Sequence, residues 1–376
     1  MPSRNQGDFL SRLPLRSAGG LLLGVCFVLG CGGDPESNST SAATTASSGP
    51  GTGGAGGAGT SSSSGGGGAG GATTSSGTGG AGGGVVQGDP LFIAVGYGAR
   101  RIVSTDGLTW TNDVIVDPNG GDDNTLFRGV GYGDGLFIAV GGSSEGQIAT
   151  STDGIAWELQ TPASSWLGDV AYLGGPDGVF VSAGGNGLRL RSADGGVTWT
   201  DDPGYYAGHF RGIAAGGGRA VAAGHTYGNS NEGLTSTTTD GITWTEEQTG
   251  GTPFNSIAFG AGVFVAAGGQ RCAVSSDGME WQPCALTAAD LDRVTFVAGE
   301  FMIRDGSGFY RSSDGATWEH VDGNGPTANA FGANIYVGAS WPDRLWSSPD
   351  LITWTVQQEN VGPAFTDIEF GLVNIE

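Results

Sequence analysis

The chain contains no lysine. Its fifteen basic residues are all arginine and face 37 acidic ones, for a net charge of −22. A deficit of cations on this scale excludes nucleic-acid binding, which needs clustered Lys and Arg against phosphates. It also excludes docking onto anionic lipid through a basic patch. Long apolar runs are missing as well. The longest, residues 21–29, falls well short of the roughly 20 residues that a transmembrane helix requires. Proline is only 15 and the glycines follow no three-residue period, which excludes a collagen. No zinc-binding motif or Walker loop is present, and no glycine-rich string stands in the strand–turn–helix setting that a nucleophile elbow or dinucleotide fingerprint requires.

What the chain has in excess is glycine, 76 of 376 residues. Twenty-two of them lie in residues 32–88, which are otherwise almost entirely Ser, Thr and Ala. Such a segment has too little apolar surface to offset the entropy of ordering it, so disorder is expected. As a Gly/Ser coil it would span about 40 Å r.m.s.. The leader and this segment carry equal numbers of acids and arginines, so the whole −22 belongs to residues 89–376. That portion keeps 49 glycines, so it too must turn often.

Residues 1–30 read as an export signal, with Arg4, Arg12 and Arg16 ahead of the short apolar core. The core ends in Val28-Leu29-Gly30-Cys31, which resembles the lipobox of bacterial lipoproteins. The resemblance implies that Cys31 becomes the acylated N-terminus. Two or three acyl chains anchor a protein stably where one is marginal. The partner so implied is a membrane, reached through the lipid. Gly32 stands where an aspartate would signal inner-membrane retention, so the expected address is the outer membrane or cell surface. The expected organisation is a signal peptide over 1–30, a lipidated Cys31 with a disordered linker over 31–88, and a globular part over 89–376.

The globular part repeats. One motif occurs seven times, as STDGLTW (104–110), STDGIAW (151–157), SADGGVTW (192–199), TTDGITW (238–244), SSDGMEW (275–281), SSDGATW (312–318) and SSPDLITW (347–354). Its tryptophans are Trp110, Trp157, Trp199, Trp244, Trp281, Trp318 and Trp354. An apolar run ending in small residues precedes each, such as LFIAVG (91–96 and 136–141) or VFVAAGG (263–269). Before that run stands a third element, such as FRGVGY (127–132), LGDVAY (167–172) or FRGIAA (210–215). Short β-branched and aromatic runs between turn residues are strands, and no stretch sustains a helical period. A unit of about 41 residues with four strands matches one blade of a propeller. The first unit lacks its first strand, and an unattached copy, FTDIEF (365–370), stands at the C-terminus. The expectation is an all-β, seven-bladed propeller of four-stranded antiparallel blades, closed by that C-terminal strand, behind a disordered N-terminal segment.

The Ser-x-Asp-Gly-x-x-Trp unit has a physical reading. Ser and Asp side chains accept backbone N–H groups and build a turn, glycine supplies positive φ, and the tryptophan is buried in the next strand. It resembles the Asp-box, or BNR repeat, of the sialidase-like propellers, a superfamily that also holds photosystem-assembly-factor-like members. In that family the boxes join strands three and four on the face opposite the active site. The resemblance therefore makes Asp106, Asp153, Asp194, Asp240, Asp277 and Asp314 structural. The competing reading takes them as acids or metal ligands. The seventh copy has Pro349 at the aspartate position with Asp350 next. A sialidase would need three arginines, a tyrosine nucleophile with a glutamate, and an aspartic acid. Arg128, Arg211 and Arg293 are available, with Tyr205 or Tyr206, but the Phe/Tyr-Arg-Ile-Pro motif is absent and those enzymes have six blades.

Cys272 and Cys284 flank the fifth box symmetrically, which sets them opposite each other across a hairpin. In an exported protein that spacing suggests a disulfide; the alternative is a two-cysteine metal site.

Candidate ligand residues come from aligning the first strands. One ring position carries Arg128, Gly168, Arg211, Asn255, Asp292, Asn329 and Thr366, and the next carries Asp169, Ser256, Arg293 and Asp367. Charges in otherwise apolar strands are paired or used. Either Arg128, Asp169, Arg211, Asn255, Asp292, Arg293 and Asp367 form a binding mouth, or they pair across the channel as structural glue. No cofactor is required. Residues 117–124 offer oxygen ligands suited to calcium, without the spacing of an EF-hand. The reading is a surface-tethered binding or scaffold module for a glycan, peptide or protein. A glycoside hydrolase is the alternative, and a purely structural envelope protein the third reading.

Overall fold

The computed structural model describes residues 88–373, apart from 202–207, 228–231, 287–289, 306–307, 324 and 360. The leader, Cys31 and the Gly/Ser/Thr/Ala-rich segment lie outside the described residues. The rest is a seven-bladed β-propeller. Seven separate four-stranded antiparallel sheets follow one another, with only two three-residue 3-10 turns among the described residues.

The innermost strands of blades one to seven are Phe365–Val373, Phe127–Gly133, Leu167–Gly174, Gly208–Gly216, Ser256–Gly260, Val294–Val297 and Ala330–Gly332. They pack side by side around a central channel. Blade one joins the two ends of the chain. Its inner strand, Phe365–Val373, pairs antiparallel with Asp89–Gly96, the first described strand, from Asp89 opposite Val373 to Gly96 opposite Phe365. The ring therefore closes without an open edge between the first and last blades.

There is no single core. Seven apolar clusters sit between neighbouring blades, so each sheet buries both faces. In six blades an aromatic near the end of the first strand packs on one at the start of the second, such as Tyr132 on Phe137 and Phe296 on Phe301, both with ring centroids 4.7 Å apart. Blade four has Ala215 opposite Ala220 instead.

The repeated turns explain themselves at the atomic level. In six of them the hydroxyl of the first residue accepts the glycine N–H at 2.8 Å, as in Gly154 to Ser151. The Asp153 carboxylate accepts the N–H groups of Ile155 and Ala156, both at 2.8 Å. Gly154 has φ of +73°, and a Cβ there would come within 2.7 Å of Leu91 and Ile93 of the preceding blade. The glycine is thus needed twice, for its backbone and for blade-to-blade contact. In the seventh turn the register moves by one. Asp350, not Pro349, accepts Ile352 and Thr353, and Leu351 takes the left-handed position at φ +65°. In Asp106, Asp240, Asp277, Asp314 and Asp350 the backbone N–H three residues on holds the carboxyl below its ordinary pKa. Stability from these turns is therefore present above about pH 4 and falls away in acid.

Cys272 and Cys284 are joined as a disulfide, with Cα atoms 5.3 Å apart. The Cys284 N–H donates to the Cys272 carbonyl at 3.0 Å, continuing the ladder of that hairpin.

Candidate functional site

Antiparallel order fixes two faces. The box turns join strands three and four of each blade, so they lie at the end where first strands finish. The opposite face carries the beginnings of the first strands and the loops joining strands two and three. On that face the channel opens into a cavity of about 460 Å³. All seven residues of the proposed mouth line it, namely Arg128, Asp169, Arg211, Asn255, Asp292, Arg293 and Asp367. Tyr97, Leu126 and Trp166 complete its wall.

A backbone device aims these side chains. In blades one to four the first strand carries one extra residue in register, at Thr366, Arg128, Gly168 and Arg211. Such a bulge breaks strict alternation and re-aims a side chain. The residue opposite each bulge is glycine: Gly96, Gly141, Gly184 and Gly224. A Cβ at any of them would strike a backbone carbonyl of the bulged strand or of the residue just before it. This is why the second-strand runs end in glycine, and it was the sequence signal for the bulge.

One aligned residue belongs elsewhere. Phe331 pairs with Tyr336 as Phe259 pairs with Phe264, so Asn329 corresponds to Ile257 and not to Asn255. It is buried, accepts the Ala339 N–H, and faces a lower chamber of about 40 Å³ with Thr295 and Glu369. The short last unit was aligned on its first residue, whereas the aromatic sets the register.

Asp169, Ser256, Arg293 and Asp367 separate the two chambers. Arg293 forms an ion pair with Asp367 and donates to the Thr366 carbonyl at 2.9 Å. Asp367 also accepts the N–H groups of Ile368 at 2.9 Å and Val130 at 3.1 Å. It thereby ties blade one to blades two and six. The Asp169 carboxylate accepts its neighbour Val170 at 2.8 Å. Burial, followed by the charge of Asp367, pushes Asp169 up to about 7 against the opposing pull of Arg293.

A sign follows. The folded chain holds a proton on Asp169 between about pH 4 and 7 that the unfolded chain lacks. Its stabilising effect is complete below pH 4 and is lost as pH rises through 7. Asp169→Asn removes that dependence. The variant's Tm minus that of the parent should rise by on the order of 5 °C from pH 5 to pH 8. A difference that stays flat over this range would show that Asp169 is already ionised at pH 5.

The rim divides into a satisfied half and an open half. Arg128 pairs with Asp122 at 2.5 Å and donates to the Gly142 carbonyl at 3.0 Å. Its guanidinium lies 5.3 Å from the Trp166 ring, which in turn stacks on His209 at 5.7 Å. His209 accepts the Asn186 N–H at 3.1 Å and meets Tyr227 edge-on at 4.7 Å. Burial, then His225 and Arg211, lowers the pKa of His209, which favours the neutral ring. Thr366 donates to the Phe127 carbonyl at 2.7 Å. By contrast, Arg211, Asn255 and Asp292 are exposed, and none makes a side-chain hydrogen bond or ion pair among the described residues. They occupy successive blades four, five and six.

In the 117–124 loop the carboxylates are turned to their own backbone. Asp117 accepts Asn119, Asp123 accepts Gly121 and Thr125, and Asp122 holds Arg128. No group of three or more His, Cys, Asp or Glu among the described residues is placed to hold a metal. Tyr205, Tyr206, Asn229 and Asn231 lie outside the described residues. The sequence did not single out Tyr97 or Leu126. The signal for Tyr97 was its place just after the glycine that ends a second strand, where the loop to this face begins.

No family model and no curated protein matches the chain. Among solved structures it is similar to YCF48 bound to D1 peptide, at 18% identity and a TM-score of 0.49, over 75% of this chain and 89% of that one. It is also similar to YCF48 from Cyanidioschyzon merolae, at 15% identity and a TM-score of 0.47, over 66% of this chain and 95% of that one. At these values the likenesses say nothing about a ligand for this chain.

Proposed function

We propose that the protein is an exported, lipid-anchored propeller of the Asp-box kind that binds a ligand, whether glycan, peptide or protein, at its channel mouth. The observation that carries this reading is the open arc of Arg211, Asn255 and Asp292. Ligand pockets keep a few convergent polar groups free for the ligand while neighbouring polar groups pair with the protein. Here the equivalent Arg128 and Thr366 do so and these three do not. The Asp-box resemblance places the working face away from the boxes, which is where the cavity lies. The chain joins the propeller at Asp89, the start of a second strand and hence on the box face. The lipobox-like Val28-Leu29-Gly30-Cys31 and the arginine-bearing leader support anchoring at the outer membrane or cell surface.

One observation favours a glycoside hydrolase as the second reading. Asp169 retains a proton near neutral pH at the cavity floor while other carboxylates share the cavity, and pairs of acids set apart in this way perform acid–base chemistry.

The test screens the full chain against arrays of oligosaccharides and peptides, with turnover followed in parallel. The double variant Arg211→Ala/Asp292→Ala should lose at least about tenfold in affinity for whatever is retained, with Tm unchanged. Undiminished retention by that variant rules the mouth out. Product release that disappears in Asp169→Asn replaces the binding reading with the hydrolase.

A further inference from the structure

The chemistry of the mouth narrows the ligand, on the assumption that the mouth is where ligand binds. We infer that the ligand is a neutral, hydroxyl-rich oligosaccharide that crosses the mouth from Trp341 to the Arg211–Asn255–Asp292 arc.

Trp341 is 76% exposed and stands alone in that respect among the described tryptophans. It lies in the loop between strands Ile335–Ser340 and Arg344–Ser348 of blade seven, on the mouth face. Its ring meets that of Tyr97 edge-on at 6.3 Å, and Tyr97 lines the cavity. In a seven-membered ring, blade four lies across from the junction of blades seven and one. The exposed Trp341, with the half-buried Tyr97 beside it, and Arg211 are therefore on opposite sides of one opening. The other aromatic of the wall, Trp166, is occupied, since both Arg128 and His209 pack on it.

Three classes of ligand meet this surface differently. A peptide anchored by apolar side chains needs an apolar pocket. The one aliphatic side chain in the lining, Leu126, is 1% exposed. A polyanion would approach a chain of net charge −22 in which two of the three mouth cations are already matched, Arg128 by Asp122 and Arg293 by Asp367, and the third, Arg211, shares its arc with the carboxylate of Asp292. A neutral sugar chain meets neither obstacle. The exposed ring of Trp341 presents a negative face to the C–H bonds of a sugar. The guanidinium, amide and carboxylate of the arc are planar groups with two donors or acceptors each, suited to adjacent hydroxyls. A cavity of about 460 Å³ accommodates a short stretch of such a chain, and the rest lies along the rim.

The experiment measures binding of the full chain to cello-, xylo-, manno- and maltohexaose, with oligogalacturonate and a mixed peptide array as the other arms. At least one neutral series should bind, with affinity changing by less than about twofold between about 0.05 and 0.5 M salt. Trp341→Ala and Asp292→Ala should each weaken it by at least about tenfold without lowering Tm. Failure of all four neutral series overturns the proposal. If oligogalacturonate or peptides bind instead and depend on Arg211, the neutral-sugar assignment falls and the mouth stands. If a retained ligand is indifferent to Arg211→Ala, Asp292→Ala and Trp341→Ala alike, the mouth itself is refuted.

Discussion

A chain ending at Pro363 should not fold cooperatively. The residues it lacks form the inner strand of blade one and pair with Asp89–Gly96 over its whole length. Losing them uncovers Phe92 and Ala94, which pack against Phe365 and Ile368. The edge of Asp89–Gly96 is left unpaired. Asp367 goes as well, and with it the ion pair to Arg293 and the bond from Val130 that tie three blades together. In a propeller each blade is held only by its two neighbours, so opening one junction weakens the whole ring. Thermal melting followed by near-UV circular dichroism should show no sharp transition for this truncation. A chain ending at Val373 should melt like the parent. A sharp, parent-like transition in the shorter chain would show that the ring holds without its closing strand.

Arg100→Ala should cost about 2–4 kcal/mol, because it empties the space of a large, fully buried side chain and takes the donor from the Pro363 carbonyl. Arg100 is fully buried. Its guanidinium grips Asp113 with two bonds of 2.9 and 2.7 Å, donates to the Pro363 carbonyl at 2.6 Å, and lies 4.1 Å above the Phe365 ring. It therefore clamps the outer strand of blade one to the segment that closes the ring. At about 2–4 °C per kcal/mol, Tm should fall by on the order of 10 °C. Arg100→Lys should rescue little, since an ammonium cannot hold both carboxylate oxygens in one plane. Removing an exposed pair, as in Arg344→Ala, should shift Tm by no more than about 1–2 °C. Equal shifts for Arg100→Ala and Arg344→Ala would mean that the clamp is not needed for closure.

Much of the fold could be read from the chain because the repeat states it seven times. Tryptophan register, the glycine-ended second strand and the detached FTDIEF segment are local signals, and each follows from a turn or a strand. Side chains that tie together segments distant in the chain were harder to see. Arg100 and Arg189 read as ordinary arginines, yet Arg189 pairs with Glu246 of the next blade at 2.6 Å from a buried position. Their partners lie 13 and 57 residues away, and no local pattern marks them. The mouth was partly legible. Charge in an apolar strand pointed to Arg128, Asp169, Arg211 and Arg293, and the structure gathers them around one cavity. Which of them remain open to a ligand depended on loops whose course the sequence does not state. Asp122 reaches back to Arg128 from an acidic segment whose oxygen ligands would also have suited calcium. Asn329 moved to the lower chamber because the register of a short blade is set by its aromatic pair.

The central claim is that the face opposite the box turns is the binding face. Hydrogen–deuterium exchange of the full chain, with and without a saturating retained oligosaccharide, tests it most directly. Protection should be confined to the loops carrying Tyr97, Trp341 and Trp166 and to the strand beginnings at Arg211, Asn255 and Asp292. Protection of the turns at Asp106, Asp153, Asp240 and Asp277, with the mouth unchanged, would contradict it.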